Sequence, residues 1–189
     1  VIDINKKNND SKLKKLKEIC EEKGYFENKK QILWQKIKKI GIISKKETQG
    51  YNDFIKQFNI PLTIILEEIV LEGDNTTKSL IKAIDNLQKV DVIIIIRGGG
   101  STIDISNSFD TIDIFDAINK STIPIITAIG HEADRDDKLL ITRVSDLDYP
   151  TPSTAAYEIT KIIVNPNLNK LNELLEKIEN QFVDKIEKE

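Results

Sequence analysis

The segment Val90-Asp91-Val92-Ile93-Ile94-Ile95-Ile96 is apolar apart from one aspartate and rich in β-branched residues. A strand without polar alternation must be covered on both faces, the condition met in a parallel sheet packed by helices. A second such run covers residues 123–129, and residues 37–44 and 62–71 read as further strands.

Amphipathic stretches of helical period separate these strands. Residues 12–23 place Leu13, Leu16, Ile19 and Cys20 on one face, and Gly24 is expected to stop that helix. Residues 47–58 form the next helix. Gly73-Asp74-Asn75 breaks the chain, and Thr76 is expected to cap a helix carrying Leu80, Ile81, Ile84 and Leu87 on one side. Residues 109–119 serve as the crossover helix before the fourth strand. Strand and helix alternate throughout, so the expected class is α/β, a three-layer Rossmann-like sandwich with a mainly parallel sheet.

The C-terminal part has a different character. After Pro150-Thr151-Pro152, Ser153 is expected to cap a helix beginning near Thr154. Beyond Pro166, the residues Leu168, Leu171, Leu175, Ile178, Phe182 and Ile186 recur at near-heptad spacing, the start of a long amphipathic coiled-coil helix. Its apolar stripe requires a partner or further sequence. Three regions are expected: 1–36 as an N-terminal helix and linker packing on the main domain, 37–160 as the α/β domain, and 161–189 as the helical arm.

Composition narrows the function classes. No apolar run among the 189 residues approaches the roughly 20 needed to span a bilayer, and no charged-then-apolar leader opens the sequence. One cysteine, Cys20, excludes an internal disulfide and fits a reducing compartment, so a cytoplasmic location is expected. Cys20 itself reads as a small core residue. The absence of methionine suggests a piece of a longer protein. Net charge is −3, but residues 1–60 hold fifteen lysines against eight Asp and Glu, so that part carries +7 and the remainder −10. This asymmetry allows a local basic surface for a polyanion, although solvated surface lysines would look the same.

Ligands of open α/β sheets bind beyond the carboxyl ends of the strands. Those ends are Ser44-Lys45-Lys46, Glu72-Gly73-Asp74, Arg97-Gly98-Gly99-Gly100-Ser101 and Gly130-His131-Glu132-Ala133-Asp134. Glycines let backbone N–H groups approach a phosphate, and Arg97 can fork onto phosphoryl oxygens. His131, the only histidine, titrates near neutral pH and is a candidate general acid or base, with Asp134 to orient it or a water. The glycine run matches neither the Walker A pattern nor the dinucleotide fingerprint. Zinc spacing is absent; a carboxylate-bound Mg²⁺ stays open, but nothing requires it.

Arg-Gly-Gly-Gly-Ser, then Ile-Pro-Ile-Ile-Thr-Ala-Ile-Gly-His-Glu-Ala-Asp, then Pro-Thr-Pro-Ser-Thr-Ala-Ala resembles the exodeoxyribonuclease VII large-subunit family. Residues 16–30 are similar to that family's helix ending in EGLF. Ile40-Gly41-Ile42-Ile43-Ser44 resembles its IGVITS strand, and Glu72-Gly73-Asp74 stands where it has VQG. The resemblance implies degradation of single-stranded DNA into short oligonucleotides with no cofactor and no divalent metal required. It also implies an OB-fold preceding this region and a helical arm that gathers small helical subunits.

Carried over by motif, the catalytic residues would be Arg97, His131, Asp134 and Asp53. Gly98, Gly99, Gly100, Ser101, Ser44, Lys45, Gly73 and Thr151 would bind the substrate. Three segments depart from the family. Its small-residue turn after Ser44 is Lys45-Lys46-Glu47-Thr48-Gln49-Gly50 here. Its FNxE is Phe109-Asp110-Thr111-Ile112, which removes one carboxylate unless Asp110 or Asp113 substitutes. Its Asp-Leu-Arg is Asp146-Leu147-Asp148. Two rival readings stay open: a non-catalytic single-strand binding or scaffold domain, and a Rossmann-like binder of a small nucleotide or sugar phosphate.

Overall fold

In the computed structural model, which describes residues 2–71, 74–130, 139–165 and 175, five strands form one sheet among the described residues. They are β1 (Lys39–Ser44), β2 (Thr63–Glu68), β3 (Val92–Arg97), β4 (Ile125–Ile129) and β5 (Leu147–Tyr149). Every pair is parallel, and the order is β2-β1-β3-β4-β5. The helices are α1 (Ile2–Glu22), α2 (Gln49–Gln57), α3 (Asp74–Asn86), α4 (Thr102–Phe109), α5 (Ile112–Lys120), α6 (Leu140–Val144) and α7 (Pro152–Val164), with a 3-10 turn at Trp34–Lys36.

The unbroken apolar runs take the central strands, as the parallel-sheet argument requires. Alternate residues of β3 feed two separate cores. Val92, Ile94 and Ile96 pack with Phe54 and Phe58 of α2 and with Ala155, Ala156 and Ile159 of α7. Ile93 and Ile95 pack on the opposite face with Leu80 and Ile84 of α3, Phe109 of α4, Phe115 of α5 and Ile141 of α6. Each fully buried Val, Leu, Ile or Phe among these stabilises the fold by roughly 1.5–3 kcal/mol. Cys20 sits in this second core, fully buried, and burial pushes its thiol up to about 11. It is an inert packing residue.

Several local expectations need correction. The expected crossover helix over 109–119 is α5, which starts three residues later at Ile112, and a separate unexpected helix, α4, precedes it. Ser101 caps α4 by accepting the Asp104 N–H, and Thr111 caps α5 by accepting the Ile114 N–H. Asp110 and Thr111 leave the helical region between them, because the Asp110 carboxylate turns inward to α6. Helix α1 begins at Ile2, well before residue 12, and Gly24 ends it with φ 66°. Thr76 is not a cap: α3 begins at Asp74, and the Thr76 hydroxyl is buried inside it with no hydrogen-bond partner. Thr151, not Ser153, caps α7, with Pro152 in the first turn where its missing N–H is harmless. Strand β5 and helix α6 have no counterpart among the expected elements, being too short to display a period.

Residues 25–31 are stitched to the far side of the domain. Lys29 donates its Nζ to the carbonyls of Arg143 and Ser145, at the C-terminal end of α6. Lys30 reaches the buried Asp146 carboxylate at 3.1 Å, and the Arg143 guanidinium stacks 4.0 Å above the Phe26 ring. No helix among the described residues is long and apolar enough to cross a membrane. Of the expected helical arm over 161–189, residues 161–164 belong to α7, which Asn165 caps, and Leu175 is helical; the rest lies outside the described residues.

Candidate active site

The chain leaves β1 toward β2 at one edge and then crosses back to β3 on the other side of β1. Such a reversal opens a crevice between the carboxyl ends of the two strands. A cavity of about 150 Å³ occupies that place, walled by Ser44, Thr48, Gln49, Gly50, Arg97, Gly98 and Gly99 among others. A larger groove of about 550 Å³ lies between α3 and α5, bordered by Asp85, Asp113 and Asp116. Three carboxylates against one cation, Lys120, make that groove a poorer place for a phosphate than the crevice holding Arg97.

The turn after β1 leaves the start of α2 without a side-chain cap from Thr48. Glu47 adopts φ 63°, and Thr48 turns its hydroxyl back to the Lys45 carbonyl at 2.8 Å, so it makes no side-chain cap on α2. The first-turn N–H groups of α2 therefore lack a side-chain acceptor, and they carry the positive end of the helix dipole. Gly50 brings this turn against its neighbours: a Cβ there would lie 2.5 Å from the Gly98 nitrogen and 3.2 Å from Pro152 Cγ. The starts of α2 and α7 thus meet the β3 loop at one point.

Arg97 ends β3 with its guanidinium curled over its own loop. Nη1 lies 3.4 Å from the Gly98 carbonyl and 3.3 Å from the Gly99 carbonyl, long contacts that leave most of its donors uncommitted among the described residues. Burial pushes its pKa down and Asp104 opposes that shift, yet a guanidinium stays charged.

The other expected residues are spread around this crevice. Ser44 is buried and donates its hydroxyl to the Ile96 carbonyl at 3.1 Å, tying β1 to β3. Lys45 is exposed at the mouth. Ser101 donates to the Asp104 carboxylate at 2.6 Å and caps α4, so its hydroxyl is already engaged. Thr151 is likewise engaged with Thr154 at the start of α7. Asp53 stands one turn along α2, where it accepts the Gln49 amide at 2.7 Å and thus lies behind Gln49. Gly73, His131 and Asp134 lie outside the described residues.

Sequence reasoning passed over Gln49 and Gly50, which line the cavity; a glycine at the start of an amphipathic helix was the available signal. Neither Asp110 nor Asp113 lines the crevice. Asp110 is buried beneath α6 and Asp113 borders the α3–α5 groove. The Asp148 carboxylate accepts the Thr127 hydroxyl at 2.9 Å. Among the described residues, no three His, Cys, Asp or Glu side chains are grouped to hold a metal ion.

These features define the class: a doubly wound parallel α/β domain with a small crevice at its switch point, lined by the start of α2, Arg97 and glycine backbone. Residues 25–189 match the family model "Exonuclease VII, large subunit", and the chain belongs to that family. The exodeoxyribonuclease 7 large subunit of Carboxydothermus hydrogenoformans is 35% identical over 160 residues, covering 81% of this chain and 33% of the relative. That of Clostridium botulinum (strain Loch Maree) is 35% identical over 183 residues, covering 90% and 44%. That of Vesicomyosocius okutanii is 37% identical over 166 residues, covering 83% and 35%. The chain therefore spans less than half the length of these curated relatives.

Proposed function

We propose that this chain carries the nuclease domain of an exodeoxyribonuclease that hydrolyses phosphodiester bonds of single-stranded DNA to short oligonucleotides. The observation that carries the reading is the crevice itself, where the uncapped first turn of α2, the Arg97 guanidinium and glycine backbone share one small space. Its volume of about 150 Å³ accommodates one phosphate group.

In this reading Arg97 and the N–H groups of the α2 turn and the Gly98–Gly100 loop bind the scissile phosphate and stabilise its developing negative charge. His131 moves the proton, as general base toward the attacking water or general acid toward the leaving oxygen. Asp134 orients His131 or the water. Asp53 acts through Gln49, whose amide it holds against the crevice wall. No divalent metal is required. Residues 161–189 begin an arm that gathers a small helical subunit, an OB-fold elsewhere in the full-length chain grips the single strand, and the protein works in the cytoplasm.

The test uses the full-length protein with end-labelled single-stranded DNA in excess EDTA, comparing wild type, Arg97→Ala and His131→Ala. Arg97→Ala is expected to lower cleavage on the order of 10²-fold or more. His131→Ala is expected to abolish products while a binding shift persists. Near-wild-type cleavage by Arg97→Ala would sink the assignment. Binding without products in wild type would instead favour the scaffold reading.

A further inference from the structure

The groups that face the crevice divide by the hydrogen bonds left to them. The Arg97 guanidinium, the first-turn amides of α2 and the backbone of Gly98 and Gly99 supply donors, which suit the oxygens of a phosphate. The Ser44 and Thr48 hydroxyls donate to the carbonyls of Ile96 and Lys45. Gln49 is the exception. Its Nε2 lies 2.7 Å from Asp53 Oδ1, one turn along α2. A carboxylate only accepts hydrogen bonds, so the N–H end of the amide faces Asp53 and the carbonyl end is turned away from it. Among the described residues Oε1 has no hydrogen-bond donor. Gln49 is exposed and lines the crevice, whereas Asp53 does not line it.

Hydrolysis of a phosphodiester needs both kinds of group: donors for the phosphate, and an acceptor that fixes the attacking water beside it. We propose that Gln49 holds that water, with Oε1 accepting one of its hydrogens, and that Asp53 acts only by keeping the amide in this orientation. This rests on the nuclease reading above. The water oxygen forms the new bond to phosphorus as the ester P–O bond breaks. The hydrogen held by Oε1 stays on the attacking oxygen, because an amide carbonyl is too weak a base to take it. The other proton passes to the leaving oxygen by way of that reading's acid–base residue. A glutamine orients the attacking water in GTP hydrolysis as well. Gln49 is then a catalytic residue and Asp53 a positioning residue.

The experiment uses the full-length protein and end-labelled single-stranded DNA, with kcat and DNA affinity measured separately across a pH series. Gln49→Ala removes the acceptor at an exposed helical position where alanine is well tolerated. It is expected to lower kcat about tenfold or more while affinity changes less than about twofold, the signature of a lost contact to the reacting water. The kcat–pH profile should keep its shape, because an amide exchanges no proton. Asp53→Ala should lower kcat by a similar factor or less. Added to Gln49→Ala it should lower kcat by less than about twofold further, since residues acting through one contact are not additive.

Wild-type kcat in Gln49→Ala overturns the proposal. So does a fall in affinity as large as the fall in kcat, which would make Gln49 a strand-binding group, and so does the loss of a limb of the pH profile. Full multiplication of the two losses in the double variant would show Asp53 acting by a route of its own, and overturns it as well. A kcat loss at unchanged affinity that the second substitution does not deepen supports it. Absence of products from the wild-type protein overturns the nuclease reading itself and is seen before any variant is compared.

Discussion

The Arg97 Nη1 atom lies 2.6 Å from where a Cβ on residue 100 would stand, and residue 100 is glycine with φ 151°. The curl of the guanidinium over its loop and the absence of a side chain at Gly100 are therefore one feature. Gly100→Ala should displace Arg97 without removing its charge. Cleavage of single-stranded DNA is expected to fall toward the level of Arg97→Ala, a loss on the order of 10²-fold. The salt dependence of DNA binding should stay close to wild type, because the cation is retained. Full cleavage by Gly100→Ala would show that the curled arrangement has no part in the chemistry.

Gly50 and Gly98 meet backbone to backbone, and a Cβ on Gly50 would fall 2.5 Å from the Gly98 nitrogen. The neighbour is main chain on a strand end and cannot swing aside as a side chain would. Gly50→Ala is expected to destabilise the domain by about 1–3 kcal/mol, the usual range for overpacking, and to weaken DNA binding by prising α2 away from the β3 loop. Urea unfolding and a binding titration measure the two effects. Unchanged stability would mean that the two loops separate freely.

The contribution of Asp110 to stability should fall as pH rises through the acid range. Burial raises the Asp110 carboxyl from 3.8 to about 6, against the opposing pull of Ser106 and the α6 amides. The folded state therefore binds this proton more tightly than the unfolded chain does. Its stabilising contribution is full below about pH 4 and is lost as pH rises to about 6. At about 1.4 kcal/mol per pKa unit, the change is on the order of 3 kcal/mol. Lys12 on α1 is the cation that opposes the rise from its side, and Cys20 stays neutral across this range. Asp110→Asn should remove this slope, so unfolding midpoints from pH 4 to 7 should converge or diverge between variant and wild type. Parallel curves would contradict the raised pKa.

Asp146 is a buried carboxylate with three partners: the Lys30 N–H at 2.6 Å, the Ile125 N–H at 2.6 Å and the Lys30 ammonium at 3.1 Å. Asp146→Ala strands two amides at the seam between the N-terminal linker and the sheet and leaves the Lys30 ammonium only the Ile118 carbonyl. A loss of about 3–5 kcal/mol is expected from breaking a buried pair on one side. Thermal unfolding would register it. A loss under about 1 kcal/mol would place the pair in the class of exposed salt bridges.

The layered α/β architecture was legible in the chain because it depends on local pattern. The β-branched run that became β3 and the helical period of Leu80, Ile84 and Leu87 announce their elements whatever surrounds them. The same holds for Arg97 and its glycines, whose chemistry is carried by residue type and spacing. Where local signals misled, a distant partner had intervened. The crossover helix starts at Ile112 and not at Phe109, because Asp110 leaves the helical path where its carboxylate accepts the N–H of Ile141, 31 residues away.

Strand order is a different kind of information. Nothing in the residues of β1 says that β3, and not β4, will lie beside it, yet that pairing creates the crevice between Ser44 and Arg97. By itself the sequence determined the elements long enough to show a period, and the residue types able to meet a phosphate. Only the tertiary structure decided the switch point, the curl of Arg97 and the placement of α6 and β5. The physical reason is range: periodicity and capping act over a few residues, whereas these features rest on hydrogen bonds and packing between segments far apart in the chain.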